Sequence, residues 1–107
     1  MRYVAVLTVQ NDYIIRKESE IMKTNFLMLR DLLEQYKPAE RGIVNGHEMK
    51  LIQETLCLKD MDILQLRNLR DFTVAHLGRS KDLVDWDRMS AITYVIDCHI
   101  FDLGGEV

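Results

Sequence analysis

The sequence predicts an all-α fold, an antiparallel bundle of four to five helices. One observation is the near absence of proline, since Pro38 is the only one in 107 residues and a turn-rich β fold would use more. Another is the recurrence of apolar residues at steps of three and four in successive segments. A third is the punctuation between those segments, where capping residues open helices and glycines close them.

The first helix is expected from about Asn11 to Lys37, with Ile15, Met22, Phe26, Leu29, Leu33 and Tyr36 along one face. Lys37-Pro38 ends it, because the residue before proline is driven out of the α region. After a loop through Arg41-Gly42-Ile43-Val44-Asn45-Gly46, Asn45 caps a second helix that carries Met49, Ile52 and Leu56 and ends near Leu58. Asp60 is the expected cap of the third, which holds Ile63, Leu66, Leu69, Phe72, Val74 and Leu77 before Gly78 stops it. Asp82 or Asp85 opens the last helix, with Met89, Ile92, Ile96, Ile100 and Leu103 in one stripe before Gly104-Gly105.

That last helix also carries Trp86, Val95 and Phe101 off the main stripe. An apolar surface wider than one face implies burial on two sides, either centrally in the bundle or against a second copy of the chain, so a homodimer is expected. The segment Arg2 to Val9 is ambiguous. It is β-branched and short enough for a strand, yet Val4 and Leu7 keep a helical spacing; a helix is favoured because the chain offers no obvious partner strand.

A chain of 107 residues forms a single domain spanning 1–107, long enough to bury roughly two-thirds of its unfolded surface. With 48% hydrophobic and 29% charged residues it has the composition of an ordinary globular protein. Its formal net charge of −3 argues against a duplex-DNA binder, whose affinity comes from clustered Lys and Arg. No stretch has the length of a membrane span. Cys57 and Cys98 lie in apolar stretches and are too few for a disulfide framework, so they are expected to be reduced core thiols in a cytoplasmic protein.

Candidate chemistry and fold coincide in Leu69-Arg70-Asp71-Phe72-Thr73-Val74-Ala75-His76-Leu77-Gly78. Arginine supplies a fixed cation that binds phosphate in two-point fashion, and histidine exchanges protons near neutral pH. In one pocket these are what RNA cleavage without a metal requires. His76 would take the proton from a ribose 2′-hydroxyl or give one to the leaving oxygen. Arg70 would stabilise the charge that builds on the phosphate, and Asp71 would orient the imidazole or hold Arg70. The product would carry a 2′,3′-cyclic phosphate, and DNA, lacking the nucleophile, would resist.

The segment resembles the HEPN domains, antiparallel helical bundles found in bacterial toxins, abortive-infection proteins and other RNA-targeting defence systems. Arg70 matches the motif arginine, Asp71 the polar residue after it and His76 the histidine. Ala75 before His76, and the short polar loop leading to an apolar final helix, match the form seen in abortive-infection members. The resemblance runs from about Ile63 to Leu103. It implies a metal-independent endoribonuclease needing no cofactor, with RNA as substrate, a homodimer whose two motifs share a cleft, and an antitoxin or other protein partner.

On a straight helix, Arg70 and His76 stand about 120° apart and about 9 Å apart along the axis. Convergence therefore needs either a loosened helix end or the second chain. The same residues also fit a structural role, His76 as a core-edge histidine near a helix C-terminus and Arg70 as a surface partner of Asp71 or of first-helix acids. On that alternative the chain is a non-catalytic helical interaction or regulatory module, such as a phage or mobile element encodes, binding through its broad last helix. Arg41 and His47 repeat the spacing, but with glycine after the arginine and in a loop. His47, Cys57, Cys98 and His99 lack the spacing of a metal site.

Overall fold

The computed structural model describes residues 23–105. The segment Arg2 to Val9, and with it the choice between helix and strand, lies outside the described residues, as does the expected helix start near Asn11. The described chain is all-α, with four α-helices and, in place of strands, only an isolated bridge between Glu40 and Ile43. Helix α1 covers residues 23–35, α2 Gly46–Thr55, α3 Ile63–Leu77 and α4 Leu83–Asp102, with a single 3-10 turn, Leu58–Asp60, between α2 and α3.

Local chemistry sets the boundaries. The Asn45 side chain accepts from the Glu48 amide at 2.8 Å and opens α2. The cap of α3 is Asp62, not Asp60. Its carboxylate accepts from the Gln65 amide at 2.8 Å while Gln65 Oε1 accepts from the Asp62 amide at 2.9 Å, a reciprocal capping box. Asp60 is instead taken up in the 3-10 turn, entered through Cys57 at φ 54. Of the two candidates for α4, Asp82 is the cap, accepting from the Val84 amide at 2.9 Å. The helix closes at Gly104, φ +86, where the Gly105 amide returns to the Ile100 carbonyl at 3.0 Å.

The core gathers Leu29, Leu32 and Tyr36 of the α1 region, Ile52, Leu56 and Leu58 of the α2 region, Leu66, Leu69 and Leu77 of α3, and Ala91, Ile92, Val95, Ile96 and Ile100 of α4. Each large aliphatic side chain taken fully out of water contributes about 1.5–3 kcal/mol. Helices α3 and α4 pack on each other and run antiparallel, since Arg70 meets Asp97 and Gly105 lies beside Ile63.

Several expected core residues are displaced. Phe26, Val74 and Leu103 are exposed, while Leu32 and Thr73 are buried. Thr73 enters the interior because its hydroxyl donates to the Leu69 carbonyl at 2.8 Å and so brings no unmet polar group with it. Of the residues off the main stripe of α4, Val95 is core, whereas Trp86 and Phe101 face solvent. The cysteines are not core thiols: Cys57 is exposed on its left-handed turn and Cys98 is half-buried.

Candidate functional site

The residues 70–76 lie within the regular part of α3, so their directions follow from helix geometry. Leu66, Leu69, Thr73 and Leu77 form the buried stripe. At about 100° per residue, Arg70 leaves the helix about 50° to one side of that stripe and His76 about 70° to the other. Their partners agree. Arg70 reaches α4, donating from Nε to Asp97 Oδ1 at 2.5 Å. His76 meets α1, its ring edge-on to Phe26 with centroids 5.8 Å apart.

The imidazole also stacks on Phe72, one turn earlier, at 5.8 Å with the rings within 6° of parallel. His76 thus lies between two aromatic rings at the surface, with its ring plane set by packing and neither nitrogen hydrogen-bonded among the described residues. Arg70 is fixed through Nε, while its terminal nitrogens have no partner among the described residues. Asp71 is exposed on the outward face and binds neither of them. Within one chain the fold points Arg70 and His76 at different helices.

A second acid lies at the histidine end of α3. Asp85, in the first turn of α4, accepts from the Ser80 hydroxyl at 2.6 Å and from Arg88 at 3.1 Å. The Ser80 hydrogen bond first, then Arg88 and to a smaller extent His76, hold its carboxyl below the usual range against the opposing effect of burial. Asp85 and Asp97 escaped the motif reading because only the antiparallel closure of α3 on α4 brings them to His76 and Arg70.

The repeated spacing at Arg41 and His47 is split by the fold. Arg41 pairs with Asp87 of α4 at 3.1 Å, and His47 is exposed in the first turn of α2. Between the 38–44 loop and α4 runs a groove of about 570 Å³, lined by Pro38, Ile43, Val44, Ala91 and Tyr94 with Arg41, Asp87 and Ser90 beside them. It does not include Arg70, Asp71 or His76. Among the described residues no three His, Cys, Asp or Glu side chains are grouped to hold a metal ion, and no helix is long and apolar enough to cross a membrane.

Compared with protein-family models, curated proteins and solved structures, the chain matches none.

Proposed function

We propose that the chain is a metal-independent endoribonuclease of the HEPN type, cleaving RNA by attack of the ribose 2′-hydroxyl on the adjacent phosphate. The observation that supports this reading is the state of His76. It is an exposed imidazole whose plane is set by Phe72 and Phe26 and whose nitrogens make no hydrogen bond among the described residues. In this role His76 moves the proton of the 2′-hydroxyl or of the leaving oxygen. Arg70, steadied at Nε by Asp97, offers its terminal nitrogens to the phosphate. Because the two side chains leave α3 on opposite flanks, the reading assigns the working cleft to two copies of the chain, each supplying part of it. An antitoxin-like protein restraining that cleft belongs to the same proposal.

The test is incubation of the purified protein with single-stranded RNA in EDTA, beside His76→Ala and Arg70→Ala. The expected result is cleavage leaving 2′,3′-cyclic phosphate ends, reduced about 100-fold or more by loss of His76. Absence of cleavage, or equal cleavage by parent and His76→Ala, rejects the assignment.

A second reading, a non-catalytic helical interaction module, is favoured by a different observation. Large apolar side chains, among them Leu64, Leu83, Trp86, Tyr94 and Phe101, stand in solvent on the helices. Loss of RNA cleavage together with retained self-association would select it.

A further inference from the structure

The flank of α3 that meets α1 departs in character from a chain whose formal net charge is −3. Phe72, His76 and Arg79 fall within about 60° of the circumference of α3, since Gly78 stays in the right-handed helical region and carries the turn on to Arg79. Residues three apart on a helix hold their β-carbons about 5–6 Å from each other, so Arg79 stands beside His76. Arg70 leaves the helix about 120° away from His76 and is engaged at Nε by Asp97.

On α1, Phe26 meets the His76 ring and is 41% exposed. Lys23 and Arg30 lie one turn to either side of Phe26, within about 60° of the same flank and about 10 Å apart along the axis. Lys23, Arg30 and Arg79 are exposed, and none of them makes an ion pair among the described residues. Two acids border this surface. Asp85 of α4 is within electrostatic reach of His76 but already accepts from Arg88 at 3.1 Å and from the Ser80 hydroxyl at 2.6 Å. Glu34 lies on α1 one turn beyond Arg30. Three cations and two surface rings therefore surround one imidazole.

We infer that this flank is a binding site for single-stranded RNA, complete within one chain, in which Arg79 is the cation that holds the phosphate beside His76. Lys23 and Arg30 take the adjoining phosphates, where each cation neutralises backbone charge and releases counterions. A base stacks on the exposed ring of Phe26, as bases do on the aromatic platforms of single-strand binders. A duplex keeps its bases inside the helix and cannot make that contact, so the site selects unpaired strands. The inference rests on the ribonuclease reading for the identity of the strand. It adds to that reading a cation on the same flank as the histidine, which Arg70 of the same chain is not.

The test is fluorescence anisotropy of a short labelled 2′-O-methyl RNA strand, which binds but has no nucleophile, in EDTA and over a range of salt. For the parent, a Kd tighter than about 100 μM is expected, with log K falling against log salt at a slope of about −2, the value for three phosphate contacts on a single strand. Arg79→Ala is expected to weaken binding about fivefold or more and to reduce the slope by about 0.7, with Arg79→Lys restoring most of the loss. Phe26→Leu is expected to weaken binding about fivefold or more at unchanged slope. Lys50→Ala, which removes an exposed cation on α2, is expected to stay within about twofold of the parent. Arg79 has no ion pair among the described residues, so its substitution decides the matter if Phe26→Leu fails to fold. No binding, equal losses in Arg79→Ala and Lys50→Ala, equal affinity for a duplex, or capture of phosphatidylserine vesicles in place of the strand each overturn the proposal. Binding through Arg79 and Phe26 without cleavage of the unmethylated strand rejects the ribonuclease reading alone. Cleavage by a parent whose affinity is unmoved in Arg79→Ala and Phe26→Leu rejects this site alone.

Discussion

Arg70 Nε donates to Asp97 Oδ1 at 2.5 Å, joining α3 to α4 across 27 positions of sequence. The pair is half-buried, with side-chain exposures of 37% and 23%. Solvent screens such a pair, so its coupling is about 0.5–1 kcal/mol rather than the larger value of a buried bridge. A double-mutant cycle on Arg70→Met and Asp97→Asn, read by urea denaturation, is expected to return a coupling of that size and no change in the denaturant slope. A coupling of zero would mean that the bond does not hold the helices together in solution.

The caps give a cleaner contrast. Asp62→Ala removes one half of the capping box and is expected to lower stability by about 1 kcal/mol. Asp60→Ala, in the 3-10 turn and without a capping hydrogen bond, is expected to stay within about 0.5 kcal/mol of the parent. Thermal or urea unfolding of the two variants side by side checks this, and the reverse ranking would return the cap to Asp60.

Asp85 makes acid sensitivity local. Its carboxyl is held below the ordinary 3.8 by the Ser80 hydroxyl first and by Arg88 next. A depressed folded-state value stabilises the protein above that pH, and the stabilisation is lost as pH falls from 3.8 through the folded-state value. Ser80→Ala is expected to move the Asp85 titration upward, followed by carboxyl-carbon NMR, and to lessen the loss of stability in acid. An unmoved titration would show that Arg88, not Ser80, governs the group.

How much of this was legible depended on range. The caps at Asn45 and Asp82 and the stop at Gly104 could be read because each is a contact between near neighbours. The Asp62–Gln65 box was equally local, and its spacing of an acid and a glutamine three residues on was the missed signal. On α3, hydropathy assigned Val74 to the interior over Thr73, because a hydrophobicity scale charges threonine for a hydroxyl that the Leu69 carbonyl satisfies at no loss. Cys57 looked interior by its neighbours, but a left-handed turn aims it outward. The divergence of the candidate residues Arg70 and His76 followed from helix rotation. What Arg70 and His76 touch, Asp97 and Phe26, was not legible, since those contacts exist only after the helices close on each other.

Tyr36 and Glu48 tie the end of α1 to α2 from inside the fold, and they predict an alkaline limit to stability. The Tyr36 hydroxyl donates to Glu48 Oε2 at 3.4 Å, Glu48 Oε1 accepts the Ala39 amide at 2.9 Å, and Arg88 Nε donates to the Tyr36 carbonyl at 2.7 Å. Burial first, then the charge and hydrogen bond of Glu48, push the phenol from 10.0 up to about 12. Between those values the unfolded chain loses the proton and the folded one keeps it. Stability that is fully present below pH 10.0 is therefore lost as pH rises toward about 12. Replacing the tyrosine by Tyr36→Phe leaves Glu48 one donor short and is expected to lower stability by about 1 kcal/mol at neutral pH. The same substitution is expected to flatten the alkaline decline, because no phenol remains to titrate at that site. Urea unfolding of parent and variant across the alkaline range, with phenolate absorbance followed in parallel, measures both effects. An identical alkaline slope in the two proteins would assign the decline to another group and loosen the link between α1 and α2 that this hydrogen bond describes.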